Sequence, residues 1–467
     1  MGSDKVRIGL VAPLGLAYIA AVLEQNGIEV KILDCTAEGQ SEGVRYANGV
    51  RYGLTDRQIE TEIADYKPDL VGVSCLFSNK AYDAHNVCAI VKEYNKNVIT
   101  VMGGAHPTAL PHETLWDSSV DYVVSGDGEY EMLAIVNGEF NKSERPILDN
   151  LPFPARHLLN MPKYMSGESP HSGLKRIPMA TIMTSRGCPG RCAFCAIRCM
   201  WGEEYRVRSP ENVLAEIEHL IGTYHIKELH FEDDCLTANK KRAMSIFQGI
   251  IDRKFDLTLN SPSGLSVFAM DEELLNKMRE AGYYSISLAI ESGSQRVLKD
   301  LMHKNVDLIK AKRLVEYARS LGIKTKAFYI LGYPGETKDE MNQTIDYAFE
   351  IGTDWSLFFP ATPLPGTEML EICKKNNWLV DTNMDYRYYF FKANIRTPEF
   401  DPDYVMALRE KANYEINFKH NYNMRIGNYE RAVEDFQEVV NLYPNLEFAR
   451  ECLDKAINRR NDDKTNK

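Results

Sequence analysis

Short apolar runs and amphipathic stretches alternate along the first third of the chain. The runs LVGVSCL (70–76) and VITVMGG (98–104) are continuous and apolar, as buried strands are. The stretches GLAYIAAVLEQNG (15–27) and AYDAHNVCAIVKEYN (81–95) repeat apolar positions with helical spacing. This alternation predicts a doubly wound α/β domain over residues 1–136, with a parallel sheet between two layers of helices. Further strands are predicted at KVRIGLVAP (5–13), VKILDC (30–35) and DYVVSGD (121–127).

A second alternating region follows a polar segment. Residues 137–173 are rich in proline, glycine and polar side chains and are predicted to be a linker. Residues 174–400 contain about six strand–helix units, which predict a partial (β/α)6 TIM-like barrel with its active face at the carboxyl ends of the strands. The predicted strands are MATIMTSRG (179–187), IKELHFEDD (226–234), LTLNSPSGLS (257–266), YYSISLAIESG (283–293), KTKAFYILGYPGE (324–336) and WSLFFPATP (355–363).

Residues 401–467 are strongly helical in pattern. The segment RIGNYERAVEDFQEVVNLYPN (425–445) resembles the second half of one tetratricopeptide repeat, with Gly427, Ala432, Phe436 and Pro444 at matching positions. Because a single repeat does not fold alone, this extension is predicted to be a helical cap on the barrel or a docking point for a partner. The last residues, RRNDDKTNK (459–467), are predicted to be a solvated tail.

Composition narrows the possible partners and the compartment. The chain has 467 residues, of which 44% are hydrophobic, so two or three domains with sizeable cores are expected. Its net charge of −11 argues against nucleic acid as a partner. No apolar run reaches the ~18 residues that span a bilayer, and the first residues lack a signal-peptide pattern. We therefore expect a cytoplasmic protein with no membrane partner, where thiols stay reduced.

Three of the ten cysteines lie close together, in the segment Cys188-Pro-Gly-Arg-Cys192-Ala-Phe-Cys195. This C-x3-C-x2-C spacing lets three thiolates hold three corners of a cubane iron–sulfur cluster, because its irons prefer soft sulfur ligands. The fourth iron would then be open to a small molecule. Two alternatives are a structural zinc site and a closed four-cysteine electron-transfer cluster completed by Cys199.

The segment TSRGCPGRCAFCAI (184–197) resembles the cluster-binding loop of radical S-adenosylmethionine (SAM) enzymes. The resemblance implies that Cys188, Cys192 and Cys195 bind a 4Fe–4S cluster whose open iron chelates SAM. It also implies that an electron from the cluster cleaves SAM to a 5′-deoxyadenosyl radical.

The same resemblance predicts the residues that contact SAM, and each has a structural alternative. Glu291 ends a predicted buried strand, where a carboxylate is either functional or paired with a neighbouring group. Asp233 and Asp234 end the strand HFEDD and would face SAM, or one of them would cap the next turn. Phe194 and Gly332 are predicted to lie against the adenine.

Joined to such a barrel, the first domain resembles a Rossmann-like cobalamin-binding domain through PLGLAYIAAVLEQNG, PDLVGVSCLFSN, VMGGAHPTALP and VSGDGEYEML. It lacks a G-x-G-x-x-G fingerprint, which disfavours a nicotinamide or flavin. It also lacks the D-x-H-x-x-G motif whose histidine binds cobalt, so the lower face of the metal is predicted to have no protein ligand. His106 is a candidate ligand, with a loop hydrogen bond as the alternative. The residues predicted to contact cobalamin are Ser74, Leu76, Gly103, Gly104, Gly126 and Glu129.

These resemblances imply a cobalamin-dependent radical SAM enzyme that methylates an unactivated carbon of a small molecule. Its implied cofactors are a 4Fe–4S cluster, SAM and cobalamin, with an electron donor such as a flavodoxin or ferredoxin. One alternative keeps the cofactors but catalyses oxidative cyclisation or rearrangement without methyl transfer. A second alternative is a redox-sensing binding protein without turnover. The sequence leaves the substrate open.

Overall fold

The computed structural model of the protein describes residues 9–46, 49–139, 144–166, 174–382 and 392–465. An α/β unit, a longer α/β unit and a helical region follow one another along the chain. The strands are β1 (Gln40–Tyr46), β2 (Gly49–Gly53), β3 (Leu70–Ser74), β4 (Ile99–Gly103), β5 (Tyr122–Val124), β6 (Met179–Ile182), β7 (Ser185–Arg186), β8 (Arg206–Val207), β9 (Glu228–Phe231), β10 (Thr258–Asn260), β11 (Ser285–Glu291), β12 (Lys324–Leu331) and β13 (Trp355–Pro360). The helices are α1 (Leu14–Gln25), α2 (Cys35–Glu38), α3 (Asp56–Tyr66), α4 (Ala81–Tyr94), α5 (Ala105–Ala109), α6 (Pro111–Thr114), α7 (Glu129–Val136), α8 (Met161–Met165), α9 (Ile197–Trp201), α10 (Pro210–Tyr224), α11 (Lys240–Asp252), α12 (Glu272–Ala281), α13 (Leu308–Ser320), α14 (Lys338–Ile351), α15 (Glu368–Lys375), α16 (Pro402–Tyr414), α17 (Tyr422–Arg425), α18 (Tyr429–Leu442) and α19 (Glu447–Thr465).

The first unit contains a parallel sheet in the order β3–β4–β5, which confirms three of the predicted strands. The predicted strand at 30–35 is wrong. Val30 and Ile32 pack on the alanines of α1 without joining a ladder, and Asp34 accepts a hydrogen bond from Thr36 N (3.0 Å) to begin α2. Residues 9–13 also hold no strand, and the rest of that predicted strand lies outside the described residues.

Two features of the first unit were not predicted. β1 and β2 form an antiparallel hairpin in a Gly-containing stretch without clear apolar alternation. The part of the predicted linker at 144–166 also packs on the first unit instead of bridging the units freely. Ala155 N donates to Ala17 O (2.9 Å). The buried residues of this contact are Leu14, Tyr18, Leu148, Leu151, Met161 and Tyr164.

The second unit is the predicted partial (β/α)6 barrel. Its two parallel sheets have the orders β6–β9–β10 and β11–β12–β13. Parallel bridges at Leu259–Tyr283 and Leu265–Leu288 join them, so six strands follow one another in chain order. Apolar residues on the outer side of the strands pack against helices α10 to α14 in one large core. This arrangement places the carboxyl ends of all six strands at one mouth.

Helices α18 and α19 cover the opposite end of the barrel, where β12 and β13 begin. Phe436 of α18 packs with Trp355 at the start of β13, and Lys324 at the start of β12 lies 3.1 Å from Asp435 of α18. The predicted solvated tail is mostly exposed over its described residues, 459–465, and α19 continues through it to Thr465. Lys464 there lies 2.6 Å from Glu430 of α18, and this pairing supports the last turns.

Candidate functional site

The cysteine loop, residues 187–196, leaves the carboxyl end of the barrel directly after β7. Two backbone hydrogen bonds anchor its centre: Ala193 N donates to Met302 O (3.0 Å), and Met369 N donates to Ala193 O (2.9 Å). A Cβ placed on Gly190 would lie 3.4 Å from Cys188 Sγ and 3.8 Å from Cys192 Sγ. Both sulfurs therefore lie over the same turn of the loop.

The loop supplies the ligand set that an iron–sulfur cluster needs. A hydrogen bond from the Cys235 thiol lowers the pKa of Cys188 to about 6, whereas burial raises the pKa of Cys195 to about 12. Among the described residues, no three His, Cys, Asp or Glu side chains already stand in metal-binding geometry. Three thiols on one short loop nevertheless fit a cubane cluster, since they are its preferred donors and leave one iron without a protein ligand.

A buried ion pair lies beside the cysteine loop. Lys304 Nζ is 3.2 Å from Glu291 Oε1 and 5.7 Å from the centre of the Phe194 ring. Burial alone would lower the pKa of Lys304, but the Glu291 carboxylate and the Cys192 thiol raise it, so the ammonium stays charged. One cation that was not predicted from the sequence therefore interacts with three predicted site residues, Phe194, Glu291 and Cys192.

The backbone of Glu291 is strained. Its φ of 74° is unusual for a residue with a side chain, and the β11–β12 ladder shifts register between Ala289 and Glu291. Strain of this kind persists where the surrounding structure imposes it, and it is found most often at functional positions. The bulge turns the carboxylate towards Lys304 and the cysteine loop, which supports the prediction that Glu291 is a site residue.

Asp233 and Asp234 hold the start of the cysteine loop in place. Asp233 is buried and accepts hydrogen bonds from Thr184 Oγ1 (2.7 Å) and from the Ser185 hydroxyl. Asp234 accepts one from Gly187 N (2.9 Å), and burial raises its pKa to about 6. These contacts reach back to residues 184–187 and differ from the predicted alternative, a cap on the turn that follows the two aspartates. A contact between either carboxylate and SAM stays a prediction.

Gly332 follows β12 with a φ of 76°, and a Cβ there would lie 2.7 Å from Val405 of α16. Its amide and that of Tyr333 donate to Glu336 Oε2 at 2.8 and 2.9 Å. Burial raises the pKa of Glu336 to about 8. The positive φ and the close approach of Val405 are enough to require glycine at position 332. The glycine is therefore no evidence for a contact with adenine, and that contact stays a prediction.

The residues predicted to contact cobalamin lie at the carboxyl ends of β3, β4 and β5. Ser74 ends β3, and Leu76 beyond it is 55% exposed. Gly104 has a φ of 108°, and a Cβ there would lie 2.6 Å from Cys75 O. At Gly103 the nearest atom would be 3.7 Å away, so no neighbour within the chain requires glycine there. A flat ligand that approaches this strand end would require it.

The other two predicted contacts and His106 make specific contacts within the chain. Gly126 has a φ of 83°, and a Cβ there would lie 3.3 Å from Met200 O of α9. Glu129 is 2% exposed, and both of its carboxylate oxygens contact Arg186. His106 Nδ1 lies 3.0 Å from Ser78 Oγ, and burial lowers its pKa to about 4. The loop hydrogen bond proposed as the alternative for His106 is therefore present.

Arg186 connects the two units immediately before the cysteine loop. Its guanidinium contacts Asp127 and Glu129 of the first unit and lies 5.2 Å from the Trp201 ring. Burial alone would lower the pKa of Arg186, but the two carboxylates raise it. Arg206 adds a second contact to Asp127 (2.7 Å). This buried network fixes the loop after β5 against the cysteine loop.

Three residues at the site, Lys304, Arg186 and Glu336, were not predicted from the sequence. Lys304 stands in LMHKNV, which carries no recognisable pattern. The segment after β11, which contains a short helix at Val297–Leu301, brings it to Glu291. Arg186 precedes the cysteines directly, and its partners are 57 and 59 residues away. The sequence offered one signal for the partners of Arg186, the two acidic residues of GDGE (126–129). That segment resembles the cobalamin-binding domain, so it did not point to a contact with the barrel.

Comparisons with known proteins agree with this arrangement. A B12 binding domain matches residues 6–136, and the radical SAM superfamily matches residues 182–348. Cytidylyl-2-hydroxyethylphosphonate methyltransferase of Streptomyces wedmorensis is 34% identical over 87% of this chain and 86% of its own. Anaerobic magnesium-protoporphyrin IX monomethyl ester cyclase of Rubrivivax gelatinosus is 26% identical over 84% of this chain and 70% of its own.

A solved structure shares the fold. The radical SAM methyltransferase TsrM of Kitasatospora setae, solved with tryptophan and a SAM analogue, superposes with a TM-score of 0.63 and 18% identity, covering 90% of this chain and 82% of its own. This superposition confirms the predicted fold class. The two family models and the 34% identical relative confirm the enzyme class and the cofactors, which are a 4Fe–4S cluster, SAM and cobalamin. None of the described helices is both long enough and apolar enough to cross a bilayer. The chain belongs to the family of radical SAM enzymes that carry an N-terminal B12-binding domain.

Proposed function

We propose that the protein methylates an unactivated carbon of a small molecule. The observation that best supports this proposal is the contact of Arg186 with Asp127 and Glu129. It holds the loop after β5 of the B12-binding domain against the cysteine loop of the barrel. When bound, the cofactors supply the electron, the radical and the methyl group, and the protein supplies position and exclusion of water.

The chain's own residues divide this work. Cys188, Cys192 and Cys195 would hold the cluster. Lys304 would offset negative charge on the thiolates and attract the carboxylate of SAM, while Glu291 would accept a hydrogen bond from its ribose or amino group. Charged donors and acceptors in a buried site give strong, directional hydrogen bonds.

The relatives support methyl transfer and keep one alternative open. The 34% identical relative is a methyltransferase, which supports the proposal, whereas the 26% identical one is a cyclase. Oxidative cyclisation without methyl transfer is therefore the second candidate function.

We also propose that a flavodoxin or ferredoxin delivers the electron and that the protein works in the cytoplasm, where the cluster is protected.

The experiment follows the fate of SAM and the substrate together. Anaerobically reconstituted protein with cobalamin and a reductant should release 5′-deoxyadenosine. Extracts of a strain that lacks the gene should contain a compound that the enzyme converts to a product heavier by one methylene. Deoxyadenosine release with a product lighter by two hydrogens would favour the cyclase. A protein that binds the cofactors and releases no deoxyadenosine would contradict both.

A further inference from the structure

The inner face of the last barrel strands carries apolar side chains outside the core. Along β12 burial alternates: Tyr329 is buried and stacks on Phe358 of β13, with 5.1 Å between ring centres. Phe328 and Phe359 lie on the opposite face, where their rings meet at 6.2 Å. Phe359 is 43% exposed and is the penultimate residue of β13, close to the barrel mouth. We call Phe328 and Phe359 the aromatic wall.

The aromatic wall lies beside the candidate SAM site. Phe328 pairs in register with Ala289, and Ala289 precedes Glu291 by two residues on β11. A strand rises about 3.3 Å per residue, so the wall lies within about 7 Å of Glu291 along the strand. An apolar surface at the barrel mouth thus adjoins the place where the reaction would start.

A carboxylate lies across the mouth from this wall. Ser263 Oγ donates to Glu232 Oε2 (3.1 Å), at the carboxyl end of β9. The other oxygen, Glu232 Oε1, is buried and accepts no hydrogen bond within the described part of the chain. Gly264, next along the chain from Ser263, lies against the aromatic wall, since a Cβ there would be 3.3 Å from the Phe328 ring. The turn at Ser263 and Gly264 therefore contacts both Glu232 and the aromatic wall.

We propose that the aromatic wall and Glu232 form the substrate pocket and select a small molecule with an apolar or aromatic framework that carries a hydroxyl or amino group. The framework covers Phe328 and Phe359, and the hydroxyl or amino group donates to the Glu232 carboxylate. A buried acceptor without a partner is costly, so a ligand that supplies a donor binds preferentially, while an anionic ligand is repelled. This inference deepens the proposed function and rests on it for the location of the reaction.

The test measures binding of two matched probes to the cofactor-loaded protein by saturation-transfer NMR. Phenethylamine presents a phenyl ring with an ammonium group, and 3-phenylpropionate presents the same ring with a carboxylate. The wild-type protein should bind phenethylamine at least tenfold more tightly. Phe359→Ala should weaken phenethylamine binding by about two- to tenfold. Glu232→Gln should remove most of the preference for the amine.

Tyr443→Ala is the control, because Tyr443 is an exposed aromatic residue (63%) directly after α18, which packs on the opposite end of the barrel. It should leave the binding of both probes unchanged. Equal binding of the two probes by the wild type, no binding of phenethylamine, or unchanged binding in both site variants would overturn the inference. Deoxyadenosine release is measured on the same samples, so failure of the pocket is distinguished from failure of the radical chemistry.

Discussion

Lys304 is the residue that connects two of the predicted SAM contacts in the candidate site. Its ammonium group bridges the Glu291 carboxylate and the Phe194 ring, directly beside the cysteine loop. A buried charge without its partner is strongly destabilising, so Glu291 and Lys304 depend on each other before any ligand binds. Substitutions that keep the shape of the side chain therefore test ligand binding better than truncation does.

Lys304→Met and Glu291→Gln should each weaken SAM binding by about ten- to a hundredfold, because each removes a hydrogen bond to a charged group. Anaerobic calorimetry with SAM and the reconstituted protein measures this loss. The iron content should stay at the wild-type value. Normal SAM affinity in both folded variants would mean that the pair is purely structural.

The three cysteines of the loop and Cys199 should differ in their contribution to the bound iron. Cys188→Ala, Cys192→Ala and Cys195→Ala should each lose most of the reconstituted iron, since each removes a cluster ligand. Cys199→Ala is the matched control. Cys199 lies on α9 against Gly366, where a Cβ would be 2.7 Å from its sulfur, and its loss should leave the iron content intact. Equal loss of iron in Cys188→Ala and Cys199→Ala would instead support a closed four-cysteine site.

At the scale of elements, the strands of the barrel could be predicted because each is an apolar run with its own turn signals. The segment at 30–35 shows the limit, since its apolar alternation serves packing against α1 instead of a ladder. Local spacing was likewise enough to predict the cysteines. The roles of Lys304 and Arg186 could not be predicted, because their partners are distant in sequence. Lys304 reaches Glu291 through the chain after β11, and Arg186 reaches Asp127 and Glu129 where the two units pack together. The domain boundaries and the cofactor contacts of individual side chains stay predictions.

Arg186 links elements of the two units, and its removal should be costly. Arg186→Met leaves Asp127 and Glu129 buried with reduced compensation, so stability should fall by about 3–5 kcal/mol. Arg198→Ala removes an ion pair between the same loop region and the largely exposed Glu203, and should cost at most about 1 kcal/mol. Urea denaturation of the apo protein compares the two variants. Similar midpoints would show that the network adds little to the docking of the units.

At the scale of the whole molecule, α18 docks on the barrel through two buried carboxylates that share one partner. Asn423 Nδ2 donates to Asp354 Oδ1 (2.8 Å) and to Asp435 Oδ2 (2.9 Å). Burial raises the pKa of Asp435 to about 7 despite Lys324 nearby, whereas Arg431 and other donors outweigh burial and lower the pKa of Asp354. Asp435 is thus protonated in the folded protein below neutral pH, and Asp354 is ionised.

The sign of the pH effect follows from Asp435. Between pH 4 and 7 the folded state holds a proton that the unfolded state has lost, so this residue lowers stability as the pH rises through that range. Asp435→Asn should therefore gain thermal stability relative to wild type, by about a few degrees, on going from pH 5 to pH 8. Asp354→Asn should be less stable than wild type at both values. A constant difference between Asp435→Asn and wild type at the two pH values would contradict the assignment.

The contact between Arg186 and the loop after β5 also links two assembly steps. The cysteine loop begins one residue beyond Arg186, and Glu129 begins the helix that follows the loop after β5. If insertion of the cluster orders one loop and thereby favours the other, cobalamin must favour cluster insertion by the same free energy, because coupling between binding equilibria is reciprocal. The enzyme would then mature as a single cooperative unit, with few molecules that carry one metal cofactor alone.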